Sequence, residues 1–239
     1  MSATDSSTGP HVPAWRAAIR NEGGWILLEL WRQLRATGME VRRRPWLATT
    51  LIAVAIAAAA WAGFGDRACD TWARAQPPDD PLLGWARMVR TFGAFTDVLT
   101  WSTVLYLAGR LSGRERWRRA GVACLLAASL AGILSNLVRP TLGRARPDAN
   151  AGVFVVRGPT MTPSWQSLPS GHTATSTGGA VALVVLAPPL GALALTEAVL
   201  VGASSVRLNR HWLSDVVGGF GLGITAGVFV ILAWRRSGS

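Results

Sequence analysis

Long apolar blocks separated by short polar segments set the reading of this chain. The run from Trp46 to Phe64 contains no charged residue, and its length approaches the ~20 residues that cross a hydrocarbon core. A soluble helix of that length needs a polar face, and this run has none. The pattern recurs along the chain and predicts spanning helices at about 46–64, 94–109, 120–138, 172–188, 190–206 and 213–234. Trp46 and Trp61 bracket the first block, Trp212 and Trp234 the last, as expected of a residue that prefers the membrane interface. In the sixth block Gly219, Gly223 and Gly227 recur at four-residue spacing, a stripe for close helix packing.

Ahead of these blocks, residues 1–13 are rich in Ser, Thr and Pro, which predicts a disordered tail without the apolar stretch of a signal peptide. Residues 14–45 form a separate cytoplasmic or interfacial segment. Within it, Trp25 to Arg35 is amphipathic: Glu29, Arg32, Gln33 and Ala36 share one face, and Trp25, Leu28, Trp31 and Leu34 lie on or near the other. Such a helix either lies in the headgroup region or packs on the bundle. The predicted fold is therefore all-α: a bundle of six transmembrane helices over residues 46–239, preceded by an N-terminal interfacial helix.

Charge changes this picture in one respect. The net charge is +11, and every basic residue apart from histidine is arginine. In a soluble protein that balance suggests nucleic acid, but here the arginines gather at the ends of apolar blocks. Arg42 to Arg44, the loop from Arg110 to Arg119, and the pair Arg235 and Arg236 all fall on one side if the termini are cytoplasmic, as the positive-inside rule requires. The expectation is an integral bacterial inner-membrane protein with both termini inside and no nucleic-acid partner. The two cysteines, Cys69 and Cys124, are too few for a disulfide framework and are read as free. Glu197, near the middle of the fifth block, is either functional or buried and neutral.

Arg139, Arg144, Arg146, Arg157, Arg207 and Arg210 lie on the opposite, outer side and call for another explanation. Three segments on that face supply it. Arg139-Pro-Thr-Leu-Gly-Arg144-Ala-Arg146-Pro147 ends the third block, Pro169-Ser170-Gly171-His172 starts the fourth, and Ser204 to Asp215 joins the fifth to the sixth. Ser170 and Gly171 fall where a helix N-terminus presents free N–H groups to an anion. His172 is placed to give a proton to a departing oxygen. His211 and Asp215, four apart, share a face if helical, so the carboxylate accepts one ring N–H and frees the other nitrogen to attack. Arginine forks match phosphate oxygens.

Together these segments resemble the three signature motifs of the type 2 phosphatidic acid phosphatase superfamily, which includes bacterial lipid phosphatases, undecaprenyl-diphosphatases and, more distantly, soluble vanadium haloperoxidases. Arg139 with Arg146-Pro147 matches the first motif, residues 169–172 the second, and Ser204, His211 and Asp215 the third. The resemblance implies a metal-independent hydrolase without cofactor that acts on a lipid phosphate. His211 is its nucleophile, His172 its acid and base, and Asp215 orients His211. Arg139, Arg146, Ser170 and Gly171 hold the phosphate. One position departs: the third-motif arginine falls on Ser205, and Arg207, four residues before His211, is the expected substitute beside Arg210. The competing expectation is a protein that binds phosphate headgroups without turnover. Nothing in the sequence sets the oligomeric state.

Overall fold

The structure, a computed structural model, describes residues 14–237 of the chain. The expected disordered tail and His11 lie outside the described residues. Among those described, the fold is helical: α1 (Ala14–Arg43), α2 (Pro45–Ala62), α3 (Asp66–Ala75), α4 (Pro81–Thr91), α5 (Phe95–Leu111), α6 (Glu115–Leu142), α7 (Gly171–Leu186), α8 (Pro188–Arg207) and α9 (Leu213–Ser237). Each of the six apolar blocks is a helix, within a few residues of its expected ends. Four stretches are long and apolar enough to cross a membrane: Pro45–Arg74, Glu115–Leu142, Pro188–Arg207 and Leu213–Arg236.

The other two apolar helices, α5 with 17 residues and α7 with 16, are shorter. Of the two, α7 is central. It packs against α6, α8 and α9 at once, so its sides meet protein, and Thr173, Thr175, Ser176 and Thr177 are buried on it. Closeness to α9 comes from the glycine stripe: a Cβ at Gly219 would stand 2.7 Å from the Ser170 carbonyl oxygen, and one at Gly223 would stand 2.6 Å from Thr177 Cβ. Packing, as the spacing predicts, is the role of these glycines. By contrast α2 packs mainly on α9 and presents Ile52, Val54, Ile56 and Trp61 outward, the exposure expected of a helix whose solvent is lipid.

Two features differ from the sequence reading. The stretch between the first two blocks, expected as a loop, holds α3 and α4, and a short 3₁₀ turn at Gly63–Gly65 carries α2 directly into α3. This brings Asp66 to complete burial. The polar face of α1 is also turned inward. Glu29, Gln33, Thr37 and Glu40 are buried, while Leu27, Leu28, Trp31 and Leu34 are exposed. The burial is compensated by ion pairs, Glu29 with Arg119 at 3.0 Å and Glu40 with Arg236 at 3.3 Å, and the partly exposed Glu22 adds a further link to Arg110 at 2.6 Å and Arg118 at 3.2 Å. Of the cysteines, Cys69 and Cys124 are both free.

Candidate active site

The site forms where the long 143–170 connection folds back over the ends of α6, α7 and α9. Gly143, at φ 62°, ends α6 in the left-handed conformation, and a Cβ there would lie 1.9 Å from the Gly158 carbonyl oxygen, so glycine is required. The connection then caps the helix it leaves: Gly158 N–H donates to the Leu142 carbonyl at 3.2 Å and Thr160 N–H to that of Pro140 at 2.8 Å. The last turn of α6 is thereby fixed, and Arg139 with it.

Arg139 lies over the start of α7. A Cβ at Gly171 would be 3.2 Å from the Arg139 Cζ, so the guanidinium lies close against the Gly171 backbone. Ser170, fully buried, is the N-cap of α7, and its N–H donates to the Asp215 carbonyl at 2.9 Å. The second and third motifs are thus joined through backbone. The first N–H groups of α7 have no partner within the helix and lie at the same end as the arginine, a ready anion cradle. The Nε atoms of both Arg139 and Arg146 are buried without a hydrogen-bond partner. That is an unusual condition for a guanidinium, and a bound oxyanion would relieve it.

His211 corrects one expectation. It lies in the turn before α9 and not on the helix. Its Nδ1 stands 2.9 Å from the Ser167 carbonyl oxygen and 3.6 Å from Asp215 Oδ2. The backbone carbonyl is therefore the nearer acceptor, and the carboxylate acts at longer range. A carbonyl can only accept, so a neutral His211 in this contact carries its proton on Nδ1 and leaves Nε2 unprotonated. Asp215 caps the turn instead, accepting from Trp212 N–H at 2.9 Å and from Ser167 Oγ at 2.5 Å. Burial holds the His211 pKa below its ordinary value. Asp215 acts in the opposite direction, and the Arg146 and Arg90 charges lower it further.

Asp215 belongs to a buried network that the motifs do not name. Arg144 bridges Asp215 at 2.6 Å and Asp66 at 2.8 Å, and Asp66 accepts from the Ser214 N–H at 2.8 Å and its hydroxyl at 2.6 Å. Arg144 sits inside the first motif but outside its matched positions. Its clue in the sequence was an arginine on the face where positive charge is disfavoured. Asp66, the first acid after an uncharged block, gave a weaker one. Ser167 had none.

Arg207, expected at the phosphate, is held elsewhere. Its guanidinium donates to Asp80 at 2.5 Å and to the Ala73 carbonyl at 3.5 Å, beside the Trp72 ring. Arg210 pairs with Asp148 at 3.3 Å. Ser205 is fully buried and its hydroxyl donates to Val201 O within its own helix at 2.9 Å. The resident closest to the missing arginine in chemistry is Arg90 of α4. It lies within electrostatic reach of His172, His211 and Arg146. Among the described residues, no group of three or more His, Cys, Asp or Glu side chains is placed to hold a metal ion.

The chain is similar to several known proteins. Lipid A 1-phosphatase of Rhizobium johnstonii is 29% identical over 109 residues, 45% of each chain. Undecaprenyl-diphosphatase of Sulfolobus acidocaldarius is 31% identical over 110 residues, 46% of this chain and 52% of that one. The chain therefore spans about half the length of the curated relatives it matches. A crystal structure described as the first transmembrane PAP2 type phosphatidylglycerolphosphate phosphatase, from Bacillus subtilis, superposes with a TM-score of 0.60. It shares 25% sequence identity, over 80% of this chain and 97% of that one. The PAP2 superfamily profile matches residues 120–239, the half that carries all three motifs. By its motif residues, its helical frame and that match, the chain belongs to the PAP2 superfamily.

Proposed function

We propose that this protein is an integral membrane phosphatase that hydrolyses the phosphate ester or diphosphate of a lipid through a phosphohistidine, without metal. The observation that carries the proposal is His211, with Nδ1 held by the Ser167 carbonyl and Nε2 free, beside Arg139 lying over Gly171 at the α7 N-terminus. In the first step Nε2 attacks phosphorus as the bond to the lipid oxygen breaks, and protonated His172 gives that oxygen its proton. In the second, His172 takes a proton from water, the water oxygen attacks phosphorus, and the P–N bond breaks to release phosphate. Arg139, Arg146, Ser170 and the Gly171 N–H hold the phosphoryl oxygens. Asp215 and Ser167 keep His211 in register.

The six apolar helices are proposed to span the membrane, with both termini cytoplasmic and the site outward. Supporting this are the three arginine clusters at the opposite ends of the helices from the motifs. The outward apolar face of α1 supports an interfacial placement, held to the bundle by Glu22, Glu29 and Glu40. The relatives' names make three substrates the ones to test: a lipid A phosphate, undecaprenyl diphosphate and phosphatidylglycerol phosphate.

One observation favours a second reading, a headgroup-binding protein without turnover: Ser205, buried and bonded to its own helix, brings no charge to the phosphate. The experiment that separates the two is phosphate release from those three lipids by the detergent-purified protein in chelator, beside His211→Ala. Release that His211→Ala abolishes is the expected result. No release from any of the three, with the lipids still bound, would establish the second reading.

A further inference from the structure

We propose that Arg90 holds the reacting phosphate from the far wall of the site, in place of the arginine that Ser205 replaces. The inference rests on the phosphatase reading above. Four observations carry it. First, Arg90 is brought to the site by the α4–α5 turn. A Cβ at Gly93 would stand 3.0 Å from His172 Cβ, 3.2 Å from the His172 carbonyl oxygen and 2.5 Å from Val201 Cγ1. The turn three residues after Arg90 is therefore pressed against His172 and against α8, one turn of helix from Ser205.

Second, Arg90 is an unanswered charge. Its Nε is buried without a hydrogen-bond partner, and no carboxylate among the described residues pairs with it, whereas Arg207 and Arg210 are paired with Asp80 and Asp148. Among the arginines of the described residues, only Arg139 and Arg146, both motif residues, and Arg118, whose other nitrogens are ion-paired, share the buried and partnerless Nε. Third, its neighbours are cations. Burial, then Arg210 and Arg146, lower its pKa from the ordinary value, a condition that a bound oxyanion reverses. Fourth, Arg90 lines a cavity of about 480 Å³ together with Arg207, Asn209 and Arg210, the residues leading into His211. An anion can therefore reach it from outside.

The physical logic is charge conservation at a phosphoryl site. Three oxygens of a transferring phosphoryl group need fixed donors, and the site requires a guanidinium in the right place and not a particular helix to supply it. Here α4 supplies what α8 lacks.

The test uses the full chain in detergent, with orthovanadate as a tetrahedral oxyanion probe and lipid phosphate as substrate. Arg90→Ala is expected to lower kcat/KM about 100-fold and to weaken inhibition by orthovanadate about tenfold. Millimolar guanidinium ion added to the variant should restore part of the rate, which loss of a merely structural contact would not allow. Should Arg90→Ala not fold, Arg90→Lys and Arg90→Gln replace it, with Lys expected to retain well above the activity of Gln. A wild-type enzyme that hydrolyses lipid phosphate while Arg90→Ala keeps its rate and its orthovanadate affinity overturns the proposal and leaves the phosphatase reading intact. A wild-type protein that releases no phosphate, yet binds orthovanadate through Arg90, overturns the phosphatase reading and leaves the proposal standing.

Discussion

At the scale of the residue, the proton on His211 is set by two acceptors of different kinds. The Ser167 carbonyl fixes position at 2.9 Å, and Asp215 adds charge from 3.6 Å. A depressed imidazole pKa keeps the proposed nucleophile neutral further into acid, so the acidic limb of kcat/KM governed by His211 is expected below the ordinary ~6.5. Since Asp215 raises the His211 pKa, Asp215→Asn is expected to move that limb to lower pH while lowering the rate. A pH–rate profile of the variant reads both. Arg144 carries the larger structural burden. Arg144→Met leaves Asp66 and Asp215 buried without a cation, expected to cost about 3–5 kcal/mol. Adding Asp66→Asn should restore part of it, and thermal unfolding in detergent measures both. The motif residues His172, His211, Asp215, Arg139 and Arg146 were legible because each lies at a fixed spacing beside others of its kind. Asp66, Arg90 and Ser167 were not, because their meaning depends on contacts across as many as 148 residues of chain, as between Asp66 and Ser214. Arg207 misled for the same reason: four residues from His211 is one helical turn only where the chain stays helical, and α8 ends at Arg207.

At the scale of the element, periodicity told helix from loop but not inside from outside. The six apolar blocks became α2, α5, α6, α7, α8 and α9 almost at their expected ends, and the glycine stripe of α9 met α7 as its spacing implied. For α1 the two faces were legible, yet their orientation was not. Amphipathicity fixes which residues share a side, while the side that meets protein depends on what the neighbours offer, here Arg110, Arg118, Arg119 and Arg236. A nitroxide at Leu27→Cys in liposomes is expected to collide with lipid-phase oxygen far more often than one at Gln33→Cys, where an aqueous interface would give the reverse. For the α7–α9 contact, Gly223→Val places its Cβ 2.6 Å from Thr177 Cβ, and a loss of about 1–3 kcal/mol is expected from overpacking. The same thermal assay reads it.

At the scale of the whole molecule, charge placement yields a topology that chemistry on intact cells can check. In a background with Cys69 and Cys124 replaced by serine, Met161→Cys in the 143–170 connection is expected to react with a membrane-impermeant maleimide on intact spheroplasts. Ser112→Cys between α5 and α6 is expected to react only after lysis. The opposite pattern would turn the protein over. The buried Asp66–Arg144–Asp215 bridge has a consequence for how such a molecule comes into being. Its three members enter the membrane in order, near the first, the third and the last apolar helix, and Asp215 is the one that steadies the turn carrying His211. A chain still emerging from the ribosome thus holds an acid and a base awaiting a third partner, and a His211 turn without its brace. On the phosphatase reading proposed above, the His211 turn is braced only once the final helix is in place, so a chain that lacks that helix is expected to release no phosphate from lipid.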